Sequence, residues 1–389
     1  MKASLDIQSI RKECCVCESM EHQQVISFDD VPVFLGCSTK KRDEDIFVSY
    51  KALQCIRCGL ITTDANLDEL SYAELHSEAI GGIWLRHHDT FAAFCMRKMA
   101  YLLKQPSVLE IGPSSNPIVR RIQCEFDSVC YCDMLTELPF ALIHNEVYVQ
   151  ARFPEHMDSN RFEIIIASHV FEHADNLNKF LKGALDRLEK NGSVLISIPN
   201  FQYWIENKYW NAITPEHNNY PMEEHLRYLA QLCRVEIEIE YFENHSVFAH
   251  FKKTEWTDRP FIIFNPSAAE KILLQWVESL QHSIELAENA LISAAQKHHF
   301  DAVLLAGASH LSQYPILMSH QITQRVTNVI DNSDYKNGKR LYGTKVIVKE
   351  FEIIADYIQP AVVIFASPYQ NEMSKQVKAL NPRAIVLTC

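Results

Sequence analysis

Two cysteine pairs, Cys14-x2-Cys17 and Cys55-x2-Cys58, constrain this chain more than any other feature. Thiolates on a C-x2-C turn can reach one tetrahedral ion together. Two such turns, 37 residues apart, make a closed set of four sulfur ligands. A closed set leaves no coordination position for a substrate, so the site it forms is structural. Cys14, Cys17, Cys55 and Cys58 are therefore expected to hold one zinc ion. Cys15 lies inside the first turn and should point away, and Cys37 has no partner at ligand spacing. The first 30 residues carry charges and cysteines rather than an apolar secretory core. That points to a reducing, cytoplasmic compartment, in which clustered cysteines bind metal instead of forming disulfides.

The length of 389 residues allows two or three domains, and a hydrophobic content of 47% lets each build a core. The formal net charge of -12 disfavours a polyphosphate partner. The basic run Lys40-Lys41-Arg42 is followed at once by Asp43-Glu44-Asp45, the pattern of a solvated loop. No apolar stretch approaches the ~20 residues of a membrane helix. The expected partner is a small molecule, without nucleic acid or membrane, and the chain is expected to be a monomer or homodimer. Boundaries are placed near 70 and 255, giving 1–70, 71–255 and 256–389.

After residue 105 strands and helices alternate, the pattern of a parallel sheet flanked by helices, an α/β fold. Expected strands are Ser107–Ile111, Ser128–Tyr131 ending at Asp133, Phe162–Ala167 and Ser193–Ile198. An expected helix over Leu177–Leu188 is closed by Asn191-Gly192. A long helical segment over 267–299 precedes a second, smaller α/β pattern. The first strand breaks at Glu110-Ile-Gly112, and Asp133 follows 21 residues after Gly112. In nucleotide-binding α/β folds an acid at this spacing holds ribose hydroxyls. The arrangement is similar to class I methyltransferases, whose glycine turn approaches the methionyl part of S-adenosylmethionine. That likeness makes Glu110, Gly112, Ser114 and Asp133 the expected cofactor set, with Ser168 and His169 after the third strand. Glycine is scarce, at 10 residues, and the turn has Pro113, Ser114 and Ser115 beside its one glycine.

Further motifs extend the likeness. The chain resembles sugar C-methyltransferases in its two C-x2-C pairs with Cys58-Gly-Leu60, in His169-Val-Phe-Glu-His173, and in Pro215-Glu-His217. It also shares a second Rossmann-like segment, here Ala306-Gly-Ala-Ser309 through Val329-Ile-Asp331 and Gly343. The resemblance implies a zinc-binding module of residues 1–70, a methyltransferase domain and a C-terminal Rossmann-like domain. It implies a nucleotide-linked keto-deoxysugar as acceptor. It further implies that His217 removes a proton beside a ketone, with Glu216 orienting it and His173 in the same pocket. A base near neutrality suits that step, because a carbon beside a carbonyl becomes nucleophilic only as an enolate. Tyr72 and His76 are candidates for a further pocket residue. Thr214 stands where the family has an aromatic residue, and Pro215 follows it.

Other readings stay open on the residues alone. One is methyl transfer to oxygen or nitrogen of a non-sugar molecule. Another is an RNA methyltransferase with a zinc ribbon. A third is a zinc-containing binding protein that has lost the cofactor.

Overall fold

The computed structural model describes residues 13–64, 82–102, 105–155, 157, 160–210, 212–254, 262, 264–367 and 369–389. Strands are numbered in chain order. β1 (His22–Pro32), β3 (Phe47–Cys55) and β4 (Ile61–Thr63) form an antiparallel sheet near the N-terminus. The two-residue β2 (Cys37–Ser38) stands outside it.

The central layer follows from apolar runs buried on both faces. β5 (Ser107–Ile111), β6 (Ser128–Asp133), β7 (Glu146–Gln150), β8 (Phe162–Ser168) and β9 (Leu188–Pro199) lie parallel. Ile164, Ile165, Ile166 and Ala167 have no exposed surface, as a continuous apolar run inside a parallel sheet requires. The short β10 (Asn219–Tyr220) leaves this layer and pairs with β4. β11 (Glu236–Phe242) and β12 (Ser246–Lys252) form a hairpin that closes the layer antiparallel to β9. The resulting order is β11-β12-β9-β8-β5-β6-β7. The chain reverses direction across the sheet between β5 and β8, so their carboxyl ends form the crevice where ligands of open α/β sheets bind.

Helices cover both faces. Leu177–Asp186 buries Leu177, Phe180, Leu181, Ala184 and Leu185, the spacing of one helical face, and Asn176 caps it by accepting from the Lys179 N–H. Gly82–Met99 covers the other face with Phe91, Phe94 and Cys95.

The helix Pro266–Lys297 buries Leu273, Trp276, Leu280, Ile284, Ala287 and Leu291 in a three-four stripe. It leads into a five-stranded parallel sheet of β13 (Val303–Ala306), β14 (Asn328–Asp331), β16 (Val348–Glu350), β17 (Ala361–Ile364) and β18 (Ile385–Thr388), in the order β16-β14-β13-β17-β18. β15 (Arg340–Leu341) pairs with β2 and joins this part to the N-terminal segment. The N-terminal segment is shared between two cores. Its cysteine turns pack with Leu177, Leu181, Leu226 and Leu229 against the seven-stranded sheet. Its strands pack instead with residues 201–222, the long helix and the five-stranded sheet.

The structure departs from the sequence expectations at three places. β7 was not foreseen, and it is the third strand of the sheet; Phe162–Ser168 is the fourth. The helix from Leu177 ends at Asp186, and Asn191-Gly192 lies inside β9. Leu188 pairs with Phe162 and Ser193 with Ile164, so residues 189–192 loop out opposite Glu163 and take the turn residues with them. The run Val31–Gly36 reads as a strand in the sequence, and the structure continues the strand only through Pro32. Tyr72 and His76 lie outside the described residues. Among the described residues no helix is long and apolar enough to cross a membrane.

Candidate active site

Gly112 sits at the carboxyl end of β5 with φ +64°. A Cβ there would lie 2.4 Å from Val170 Cγ2, so both backbone and space call for glycine. Its N–H donates to the Cys132 carbonyl at 2.8 Å, which draws the turn against the end of β6, where Asp133 stands. The Asp133 Oδ1 accepts from the Leu135 N–H at 3.1 Å. Ser114 has φ +51°. Glu110 is buried, and its two oxygens accept from the amides of Ile118 at 2.7 Å and Val119 at 3.0 Å. Burial pushes its carboxyl up to about 8, against the pull of those two amides. Glu110 therefore shapes the turn from beneath, with both oxygens engaged by loop backbone.

β8 ends at Ser168. His169 follows with φ +54°, and its N–H donates to Ser197 on β9 at 2.8 Å. This sharp exit aims Val170 at Gly112. The next residues form a one-turn helix, Phe171–His173. Asn218 then ties the 212–222 loop to that turn. Its N–H donates to the Glu172 carbonyl at 3.1 Å and its Nδ2 to the His173 carbonyl at 2.7 Å. The rings of His173 and His217 meet edge to face, with centroids 4.9 Å apart. A ring nitrogen from each and a carboxylate oxygen of Glu172 all lie within 4.8 Å of one another. Phe201, at the start of the short helix Phe201–Glu206, packs 5.5 Å from the His217 ring. The Tyr220 hydroxyl donates to the Thr214 carbonyl and accepts from the Thr214 N–H, which closes the loop.

The structure thus unites His173 and His217 and adds Glu172, which the sequence reading passed over. Glu172 has 0% exposure, and burial lifts its carboxyl to about 7 against the opposing pull of His173. The one signal in the sequence was a charge in the turn after an apolar strand. Glu216, expected to orient His217, has its Oε1 accepting from the Leu35 N–H at 3.0 Å. It anchors the loop to the N-terminal segment.

His169 lies in a further group that no local motif announced. Its Nε2 is 3.1 Å from the Ser246 hydroxyl, which is 2.7 Å from His245 Nδ1. Trp84 packs edge to face on His169 and His245, each at 4.7 Å, and His87 packs on His169 at 4.8 Å while bonding Ser197 at 2.8 Å. Burial holds His169 and His245 down to about 3, and His87 lower still, so these rings are neutral. The second turn, after β13, is filled by its own chain. There Asp331 accepts from the amides of Ala308 and Ser333 and from Lys336 Nζ.

The four cysteines converge. Cys14 and Cys58 sulfurs are 3.5 Å apart, as are those of Cys17 and Cys55, and all four lie within 4.8 Å of one another. Thiolates at ~2.3 Å around a tetrahedral zinc stand roughly 3.8 Å apart, so the set fits such an ion. Each turn ends in a left-handed residue, Glu18 at φ +60° and Gly59 at φ +77°. Cys15 points away and bonds the Asn219 side-chain oxygen at 3.1 Å. Cys37 lies apart on β2, next to the Ala308 carbonyl.

A family model described as a methyltransferase domain matches residues 85–233, less than half of the chain. No curated protein matches. Solved structures with similarity include the plantazolicin methyltransferase BpumL in complex with SAH. It is 12% identical over 44% of this chain and 85% of its own, with a TM-score of 0.37. The N-methyltransferase NodS from Bradyrhizobium japonicum WM9 is 10% identical over 49% of this chain and 100% of its own, with a TM-score of 0.37. YcgJ from Bacillus subtilis is 12% identical over 43% and 99%, with a TM-score of 0.36. The family match runs from the helix before the glycine turn to the helix before β11, across both site segments, and on that match residues 85–233 form a methyltransferase domain.

Proposed function

We propose that the chain methylates a carbon of a nucleotide-linked keto-deoxysugar through an enolate. The observation that carries this is the placement of Glu172 and His173 directly after Val170, the residue packed on the cofactor turn, with His217 packed against His173 from the 212–222 loop. A base there stands beside the methyl donor at the switch point of the sheet. S-adenosylmethionine, when bound, supplies an electrophilic methyl group. Gly112 gives its backbone close approach, Asp133 takes the ribose hydroxyls, and Ser114, Ser168 and His169 line the same edge. His217 would take the proton from the carbon beside the ketone, leaving that carbon as an enolate nucleophile for the methyl group, whose bond to the sulfonium sulfur would break as the carbon–carbon bond forms, the electron pair passing to sulfur. Of the aromatic residues at 201–210, Phe201, Trp204 and Trp210 are buried, and the half-buried Tyr203 and Tyr209 offer stacking surface for the sugar or its base. The four cysteines hold one structural zinc, and the chain is laid out as 1–70, 71–255 and 256–389, the middle part lending β10 to the first.

With nucleotide-linked keto-deoxysugars as acceptors, the wild type should exchange solvent deuterium at the carbon beside the ketone. His217→Asn should not exchange, and its turnover should drop by about 10²–10⁴, the share of general base catalysis. Full activity of that variant, or a product methylated on oxygen or nitrogen by NMR, ends this reading.

Asp133→Ala should weaken S-adenosylmethionine binding by about 1.5–3 kcal/mol, the loss of charged hydrogen bonds to the ribose. Calorimetry with the cofactor alone measures it, and an unchanged Kd reassigns the ribose ligand.

A further inference from the structure

We propose that Glu172 is the carboxylate that positions His217. This rests on the reading above of His217 as the base, and it departs from the expectation that the neighbouring Glu216 does so. Glu216 has an oxygen engaged by the Leu35 amide. Glu172 is fully buried, and neither of its oxygens meets a hydrogen-bond donor at bonding geometry among the described residues. A carboxylate stripped of water without full compensation is costly, and such groups persist where they serve a site.

The titratable groups that face it are three histidines from different segments. His169 Nδ1, at the exit of β8, is 3.3 Å from Oε1. His173 belongs to its own turn, and His217 comes from the loop that Asn218 ties to that turn. Glu172 thus stands between the histidine at the cofactor edge and the histidine pair at the acceptor edge. Burial lifts Glu172 to about 7, and above that value its carboxylate biases which ring nitrogen of His217 carries the proton and stabilises the imidazolium that forms when His217 takes one from carbon. It touches neither substrate nor cofactor, so its role is positioning.

The test uses the full-length protein with ¹⁵N-labelled histidine and no acceptor, and the His217 resonances are identified by their loss in His217→Asn. In Glu172→Gln the pH midpoint of the His217 ring nitrogens should fall by about one unit or more, the effect of removing an opposite charge at this range. The neutral-form tautomer ratio should change with it. Glu216→Gln should leave both unchanged. If Glu172→Gln does not fold, Glu172→Asp keeps the charge with a shorter reach and should lower the midpoint by a smaller amount.

An unchanged midpoint and tautomer ratio in the folded variant overturns the proposal. So does a second metal ion per chain, beyond the one expected on the cysteines, that Glu172→Gln loses; the carboxylate would then be a ligand. Because no acceptor is present, the result is independent of the sugar assignment. A shifted midpoint with no C-methylated product keeps the Glu172–His217 pair and removes the enolate reading alone.

Discussion

Lowering the pH from 6.5 to 5 should cost the protein roughly 8 kcal/mol of stability, enough to unfold a fold of ordinary marginal stability. The cause is a set of histidines buried without charge. His169, His245 and His310 are held to about 3 and His225 and His250 to about 4, all mainly by burial, and His87 lies below them. Unfolded, each would titrate near 6.5. Between those values the unfolded chain binds a proton that the folded one refuses. Stability is therefore present above 6.5 and drains away as the pH falls toward 4, at about 1.4 kcal/mol per pH unit for each ring. Two buried carboxyls work the other way. Glu172 and Glu110 keep their protons to about 7 and 8 when folded, whereas the unfolded groups lose theirs near 4.5. They offset about a third of the effect, leaving on the order of 5 kcal/mol per pH unit. Urea unfolding midpoints measured from pH 7 to 5 give the slope, and His245→Gln should reduce it by about one proton if it folds. A flat profile, or a protein that grows more stable on acidification, shows that these rings are solvated.

Removal of the metal should also be damaging. Purified protein should contain one zinc per chain. Stripping it, or changing Cys55 to Ser, should lower the melting temperature by roughly 10 °C, the shift that ~4 kcal/mol gives in a domain of this size. The reason lies in what the turns touch. The Cys15 carbonyl accepts from the Asn178 amide in the first turn of the helix Leu177–Asp186, and the Cys58 carbonyl is 3.0 Å from Nε2 of His225 on the helix Glu223–Leu232. Releasing the sulfurs would loosen both helices and expose the leucines beneath them. Solubility and dye-accessible apolar surface should therefore respond more than activity per folded molecule. A metal assay that finds no zinc would falsify the ligand assignment.

Much of the site could be read from the residues because its signals are local. Cysteine spacing is set by turn geometry, and a glycine turn after an apolar strand, with an acid at the end of the next, encodes a crevice within 25 residues. The Ile164–Ala167 run marked the central strand. β7 escaped because Glu146–Gln150 is an edge strand, half exposed and without an apolar run. Asn191-Gly192 misled because a turn pair can interrupt a strand as easily as end a helix. The Trp84–His87–His169–His245 group could not be foreseen, since its members come from three distant segments that only packing unites. Glu172 was hidden differently: it lies inside a quoted motif, but only burial separates a working carboxylate from an ordinary one.

The two-core arrangement of the N-terminal segment has a consequence for the order in which the molecule is made. Everything that shapes the glycine turn and Asp133 is complete once the chain has emerged through β12. The loop that bears His217 is not, because the core beneath it includes the long helix and the five-stranded sheet. On the proposed assignment of the site, a nascent chain would therefore acquire a place for the methyl donor well before it acquires the means to activate an acceptor. The loop that bears His217 would settle only once the five-stranded sheet, of which β18 is an edge, has been synthesised and packed.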